Sequence, residues 1–346
     1  MQAAVVRRVG EVVADEVPIP KPNKYQALVK IICGATCNST DYRIVHDNLP
    51  WRMAYPCILG HESIGRIVSI GSKVKNFEVG DLVLRPTAVY PGEKLDGYYS
   101  GWGGFAEYGL VTDVEAMIVD GINRTFINSY AFLHQKVPPE IDPTDAVMII
   151  NLREIMHWVD SLGISANSSV LVIGDGPVGL TYVQCAKIRG ANPIILVGHR
   201  DERLKLGQTI GADYTINSHY VDFTVEVKNI IESKAVDFLI DCTGDQSTFN
   251  KALNILKSNG KAVAYGTPKV PPTGPPPNDP RIAKITPNEP RTHDEIIRLI
   301  LDGKINPKHF YSERLPLSKI SEAIDRIGKK KALAKIIIDI KEEWRM

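Results

Sequence analysis

Cys37 and the adjacent pair His61 and Glu62 carry a thiol, an imidazole and a carboxylate in two loop-like segments, Thr36-Cys37-Asn38-Ser39-Thr40-Asp41 and Gly60-His61-Glu62-Ser63. Thiolate sulfur and imidazole nitrogen are preferred donors to Zn²⁺, and a carboxylate beside the histidine serves as a ligand or as a partner that orients one. One cysteine and one histidine do not make a metal site by themselves, since a buried thiol also packs as a small apolar group.

A second chemical signal lies further along. The apolar run Val170-Leu171-Val172-Ile173 ends in Gly174-Asp175-Gly176-Pro177-Val178-Gly179, and helical spacing of apolar residues follows from Leu180 to Arg189. This strand, glycine turn and helix is the context in which Gly-x-Gly-x-x-Gly binds a dinucleotide. Gly174 permits the tight turn, Gly176 lets the backbone approach a pyrophosphate, and Gly179 lets helix and strand pack closely. The helix start, at Pro177 and Val178, then offers free N–H groups to phosphate. After the next apolar run, Ile194 to Val197, NAD-binding folds place an acidic residue on the ribose hydroxyls. Here the position is Gly198, followed by His199 and Arg200. A small residue makes room, and Arg200 or His199 can meet a 2′-phosphate. The expectation is NADP rather than NAD; the alternative leaves the ribose of NAD to Asp201. Arg203 is expected to pack on the adenine or cap a turn.

The elements that must position these groups can be traced. The chain has 346 residues, room for about two domains. Residues 1 to about 115 hold short β-like runs such as Ala27-Leu28-Val29-Lys30-Ile31-Ile32 and Ser63 to Ile70, punctuated by Gly and Pro. A helical stretch near 143–163 leads to the glycine turn. Strands then alternate with helices: Ile194 to Val197, a helix from Glu202 to Ile210, Asp237 to Ile240, a helix near Thr248–Leu256, and Ala262 to Tyr265. That alternation predicts a doubly wound parallel sheet. Pro268 to Pro290 is too rich in proline for helix or central strand, leaving an ordered surface loop or a linker. Asp294 to Leu301 reads as helix, and Ala332 to Ile340 ends in an edge-type strand.

Composition excludes several function classes. A net charge of +1 gives no basic field for nucleic acid. No apolar stretch approaches the roughly 20 residues that span a bilayer, and the first residues read as a strand rather than a signal peptide. The five cysteines are scattered and odd in number, unlike a disulfide framework, so a reducing cytoplasm is expected.

Several blocks, in order, resemble the zinc-dependent medium-chain dehydrogenase/reductase family, near its alcohol, polyol and sugar dehydrogenases. They are Lys30 to Cys37; Tyr55-Pro56-Cys57-Ile58-Leu59-Gly60-His61-Glu62; the turn from Val68 to Gly80; Gly103-Gly104-Phe105-Ala106-Glu107-Tyr108; Val170 to Gly179; and Asp241-Cys242-Thr243-Gly244. The resemblance implies an α/β chain with a GroES-like β-rich catalytic domain, 1–145 and 290–346, and a Rossmann doubly wound domain, 146–289. It implies one catalytic Zn²⁺ held by Cys37, His61 and a third protein ligand, with a nicotinamide cofactor contacted by Thr243 as well as by the glycine turn. Ser39 or Thr40 would relay a proton, Ser39 being favoured by its offset from Cys37, and Asp41 would fix the site. Family members form dimers or tetramers through the edge strand of the cofactor domain.

The chain departs from the family pattern in three places. One extra residue precedes Asp41, which leaves the relay residue open. The four-cysteine lobe of a structural zinc is missing, and Arg85 to Trp102 replaces it, with Tyr98, Tyr99 and Trp102 packing that loop or lining the cleft; no structural zinc is expected. The third ligand is not obvious: Ile150 stands where a carboxylate belongs, Glu154 follows one helical turn later, and Glu62 is the other choice. The expected activity is hydride transfer between NADP and a secondary alcohol, polyol or sugar, for which His46, Asp47, Asn48 and Trp51 supply a polar pocket. The alternatives are a metal-free NADPH-dependent reductase acting on quinones or activated alkenes, and a nucleotide-binding protein without turnover.

Overall fold

The computed structural model describes residues 1–37, 39–232 and 235–340. The chain divides into two compact units, Met1–Ile150 with His293–Met346, and Asn151–Thr292. Among the described residues no helix is long and apolar enough to cross a membrane.

The first unit is built on two sheets. The axis of the larger is Gln26–Ala35, in which Ala27, Val29, Ile31 and Cys33 are buried at the two-residue period of a strand. It pairs antiparallel with Ser63–Ile70, Tyr108–Thr112 and Lys335–Asp339. The smaller sheet runs Glu11–Glu16, Gln2–Arg8, Cys57–Leu59, Tyr98–Gly101, Lys94–Leu95. Its last two strands form a hairpin across Asp96 and Gly97, both at positive φ, the pairing that two-residue hairpin turns favour. This hairpin, residues 94–101, lies within the segment 85–102.

The C-terminal strand is not an edge. Lys335–Asp339 pairs with Gln26–Ala35 on one side and runs parallel to Tyr311–Pro316 on the other. Lys335, Ile336, Ile337 and Ile338 are all buried, as suits a strand covered on both faces and paired on both sides. Behind it, the helix Ile320–Gly328 buries Ile320, Ala323, Ile324 and Ile327, one apolar stripe at helical spacing. These side chains share a cluster with Ile44 and Val45 of the helix Thr40–Val45. Each buried isoleucine contributes roughly 2 kcal/mol relative to exposure. The C-terminal region thus backs the short helix that follows Cys37.

The second unit holds a five-stranded parallel sheet in the order Tyr214–Asn217, Ile194–Gly198, Val170–Ile173, Val236–Asp241, Leu256–Ala264. Val170–Ile173 is central and entirely buried, which explains its unbroken apolar run. The helix before the last strand of this sheet begins at Gln246, two residues before Thr248, because Asp245 accepts the Thr248 N–H as its cap. It ends at Ala252, and Leu256 already belongs to a strand. The proline-rich stretch is a loop pinned to this sheet rather than a linker. Ala283 N–H donates to Ala262 O at 2.8 Å, and the Arg281 guanidinium donates to the carbonyls of Leu253 and Leu256 at 3.1 and 2.7 Å.

Candidate active site

Cys37 leaves the end of Gln26–Ala35, and His61 and Glu62 sit in the turn between Cys57–Leu59 and Ser63–Ile70. Gly60 enters that turn at φ +105°, and a Cβ there would stand 2.5 Å from the Phe105 ring, so only glycine lets the chain reach His61 along this path. Strand pairing carries the two segments together: Ala35 N–H donates to Glu62 O at 2.9 Å.

Cys37, His61 and Glu62 each offer one donor atom, and all three atoms lie within 4.8 Å of one another. A tetrahedral zinc with sulfur at about 2.3 Å and nitrogen at about 2.0 Å separates its donors by about 3.5 Å, so the group has the right size. Burial opposes ionisation of the Cys37 thiol, but its hydrogen bond to His61 and the charges of His61 and Lys335 hold it below its ordinary value. Burial likewise works against a charged His61, and the Asp41 carboxylate overcomes it, lifting the imidazole to about 10 with help from Cys37.

Each donor is held from behind. Asp41 is buried, its Oδ2 accepts the Cys37 backbone N–H at 2.7 Å, and its Oδ1 lies 3.3 Å from His61 Nδ1. A carboxylate on one imidazole nitrogen leaves the other to a metal. His61 Nε2 faces Glu62 Oε1 at 3.6 Å. Glu62 Oε1 also takes the ammonium of buried Lys335 at 2.6 Å, while Glu62 Oε2 is buried with no hydrogen-bond partner among the described residues. An unpartnered buried carboxylate oxygen is costly and suits a site that receives a cation. The His61 carbonyl accepts from the Arg85 guanidinium at 2.8 Å and from the Tyr130 hydroxyl at 3.3 Å. The Trp102 indole packs against His61, ring centroids 5.8 Å apart.

Thr40 Oγ1 lies 3.6 Å from Cys37 Sγ. Ser39, the residue favoured by its offset, is the N-cap of Thr40–Val45 and makes no side-chain capping bond. Asn38 lies outside the described residues. Asp47, Asn48 and Trp51 are exposed and His46 stacks on Tyr42, with ring centroids 4.3 Å apart.

In the second unit Gly174 takes φ +113°, a Cβ on Gly179 would overlap the Gly174 carbonyl oxygen, and Gly176 caps the helix Pro177–Ile188 with open space where its Cβ would be. These are a tight turn, a close helix and strand packing, and an accessible helix start with Pro177 at its first position and Val178 next. Thr243 is held in its own turn: its hydroxyl donates to Asp241 at 2.6 Å and accepts from Asp245 N–H at 3.0 Å. The space beside Gly198 is not open. A Cβ there would stand 2.5 Å from Asp175 Cβ. Arg203 neither caps its helix nor lies on the surface; it is buried, 3.7 Å from Asp175, and burial lowers its pKa to about 10. His199 is exposed and Arg200 half-buried. Glu154 lies on the helix Ile149–Leu162, and its neighbour Arg153 is fully buried against Glu289 at 2.8 Å.

Residues 23–120 match the alcohol dehydrogenase GroES-like domain and residues 177–288 the zinc-binding dehydrogenase domain. The NADP-dependent isopropanol dehydrogenase of Thermoanaerobacter brockii is 32% identical over 269 residues, covering 75% of this chain and 74% of that one. The chain belongs to the zinc-dependent medium-chain dehydrogenase/reductase family. A sorbitol dehydrogenase of Bacillus subtilis (strain 168) is 27% identical over 342 residues, 94% of this chain and 93% of the relative. Among solved structures, benzyl alcohol dehydrogenase from Acinetobacter calcoaceticus superposes with a TM-score of 0.83 at 22% identity, covering 98% of this chain and 99% of that one. A protein of Sinorhizobium meliloti 1021, described as a putative zinc-binding dehydrogenase and bound to NADP, gives 0.79 at 25% identity, 98% of each chain being covered. The GroES-like and Rossmann-like architecture is therefore that of medium-chain dehydrogenases, and this member is an oxidoreductase by family.

Sequence reasoning missed three residues of this medium-chain dehydrogenase. Lys335 is far along the chain, although a lysine inside Ala332-Leu333-Ala334-Lys335-Ile336-Ile337-Ile338 is a signal, since lysines are seldom buried unless paired. Arg85, which holds the His61 carbonyl, sits at φ +59° and carries no motif. Asp175 stands inside the glycine motif, at one of its variable positions.

Proposed function

We propose that this chain is an NADP-dependent dehydrogenase that moves a hydride to or from a secondary alcohol, polyol or sugar at one zinc. The observation that carries the reading is the trio Cys37, His61 and Glu62, with Asp41 behind the histidine and Lys335 behind the carboxylate. These residues would hold the zinc, and Glu154 is the further candidate ligand. Bound there, zinc supplies Lewis acidity toward the oxygen of an alcohol or carbonyl, and the nicotinamide carries the hydride.

The protein groups do the rest. The Asp41 carboxylate, 3.3 Å from His61 Nδ1, favours a positive imidazole edge on that side, Lys335 balances Glu62, and the Trp102 ring packs beside the imidazole. The Thr40 hydroxyl, beside Cys37, is the group placed to pass a proton to solvent, with Ser39 next in the chain. The first unit supplies this chemistry and the second the dinucleotide turn, with a division of 1–145 and 290–346 against 146–289. NADP is favoured by the absence of a carboxylate at Gly198, by the adjoining His199 and Arg200, and by relatives whose names specify NADP. Thr243 shapes the floor of the turn: its methyl would lie 3.2 Å from a Cβ on Gly174. Assembly into dimers or tetramers belongs to the same proposal, but the outer strand Leu256–Ala264 is already bonded at Ala262 by residues 281–283, so its open edge is interrupted there.

Elemental analysis with a substrate screen tests it. The expected result is about one zinc per chain, lost in Cys37→Ser and His61→Ala, and NADP reduction with secondary alcohols or polyols that disappears with the metal. Zinc-free protein that reduces quinones or activated alkenes with NADPH would overturn the reading.

A further inference from the structure

Gly198 ends the second strand of the parallel sheet, where dinucleotide-binding folds keep the acidic residue that bonds the adenosine ribose. The structure shows why no side chain stands there. A Cβ built on Gly198 would lie 2.5 Å from Asp175 Cβ and 2.7 Å from both Asp175 Cγ and Oδ2. The obstruction is a carboxylate delivered from the glycine turn into the place where a side chain at 198 would begin.

Asp175 is buried and its oxygens are engaged within the protein. Oδ2 accepts the backbone N–H groups of His199 at 2.9 Å and Arg200 at 2.8 Å, and Oδ1 faces the Arg203 guanidinium at 3.7 Å. One residue thereby clamps the glycine turn to the turn that follows the second strand. Beyond the clamp, His199 and Arg200 stand beside one carboxylate, Asp201, whose Oδ1 accepts from the Asn217 amide at 2.6 Å. His199 Nδ1 is 3.0 Å from Ser218 Oγ, the His199 and His219 rings lie 4.6 Å apart, and both histidines are exposed.

We propose that Asp175 and Gly198 are a mutually exclusive pair that decides cofactor choice. A carboxylate in the glycine turn bars one from the strand end, which removes the acceptor that would hold the ribose of NAD and repel a 2′-phosphate, and it fixes the His199 and Arg200 backbone beside that phosphate. Asp175 is a positioning residue, since it acts through the 199–200 turn. This rests on the NADP reading above, and the experiment separates the two.

The test is calorimetric binding of 2′,5′-ADP and 5′-ADP to the full chain. Wild type is expected to prefer 2′,5′-ADP by at least about tenfold, as charged hydrogen bonds to a phosphate provide. Gly198→Asp alone brings two carboxylates into one space and weakens both ligands by about tenfold or more. Asp175→Gly with Gly198→Asp moves the carboxylate to the strand end, restores 5′-ADP and reverses the preference. Gly198→Ala lowers the melting temperature, and Asp175→Gly in the same chain recovers it, a reading that needs no nucleotide. A Gly198→Asp variant that switches preference as fully as the double variant, or a Gly198→Ala chain as stable as wild type, would overturn the exclusion. Equal binding of the two nucleotides by wild type would overturn the NADP reading, and the Gly198→Ala pair would still decide the exclusion.

Discussion

Lys335 Nζ and Glu62 Oε1 lie 2.6 Å apart across 273 residues of chain, both side chains almost fully buried. The pair joins the C-terminal strand to the turn that carries His61. The Glu62 charge raises the Lys335 pKa against the opposing effect of burial, so the ammonium stays charged in the core. Removing one member strands the other. Lys335→Met is expected to cost about 3–5 kcal/mol, and Lys335→Met with Glu62→Leu to recover most of it. Chemical denaturation of the two variants checks this; equal loss in both would mean that packing, not charge, holds the strand.

Asp41 touches His61 Nδ1 and the Cys37 N–H but lies behind both donors. Asp41→Asn is expected to lower zinc affinity about 10–100-fold, the usual effect of losing the group that orients a histidine ligand. Competition with a chromophoric chelator measures it. Unchanged affinity would show that the Asp41 contact is structural alone.

The sequence offers Glu62 or Glu154 as the third ligand, and Glu62 is the one proposed first. Glu62→Gln is expected to reduce zinc retention strongly, and Glu154→Gln to leave it within about threefold of wild type, because Glu62 already shares the donor group with Cys37 and His61. The reverse order, read by metal content after dialysis, would move the third ligand to Glu154.

Gly176 and Gly179 separate ligand access from packing. A Cβ on Gly179 would overlap the Gly174 carbonyl, whereas one on Gly176 meets nothing closer than 3.9 Å, at Arg203. Gly179→Ala should therefore lower the melting temperature, while Gly176→Ala should leave it nearly unchanged and weaken 5′-ADP at least tenfold by filling the space a pyrophosphate needs. Thermal melts and calorimetry on the same samples distinguish the two effects.

Asp113 provides a pH test away from the site. Its Oδ2 accepts the N–H groups of Lys75 and Asn76 at 2.7 and 2.8 Å, and its Oδ1 accepts the Ala116 N–H and the Asn76 amide at 2.9 and 2.8 Å. Burial raises its pKa, but these donors together hold it below the ordinary 3.8. A depressed folded-state value contributes stability that is complete above the unfolded-state pKa and is lost as pH falls through the folded-state value. Asp113→Ala is expected to cost about 2–3 kcal/mol at pH 7 and progressively less below pH 4. A difference from wild type that stays constant from pH 7 to 3 would remove the charge from the explanation.

The sequence by itself determined the parts that rest on local chemistry. Glycine without a Cβ, alternating apolar residues and a strand followed by helical spacing carry their consequences wherever they stand, so the glycine turn and the parallel sheet were readable from order alone, whereas Cys37 and His61 became candidate donors only through the resemblance of their flanking blocks to a family. Tertiary structure decided what depends on neighbours remote in the chain. An apolar run such as Ile336-Ile337-Ile338 does not say how many strands flank it, and an edge was expected where pairing on both sides is found. Gly198 signalled empty space, yet Asp175 fills it, because side-chain volume at one turn is set by the turn beside it. Lys335 carried no motif; only the pairing of its strand with Gln26–Ala35 brings its charge to Glu62, and a buried charge acquires meaning only from the partner the fold gives it.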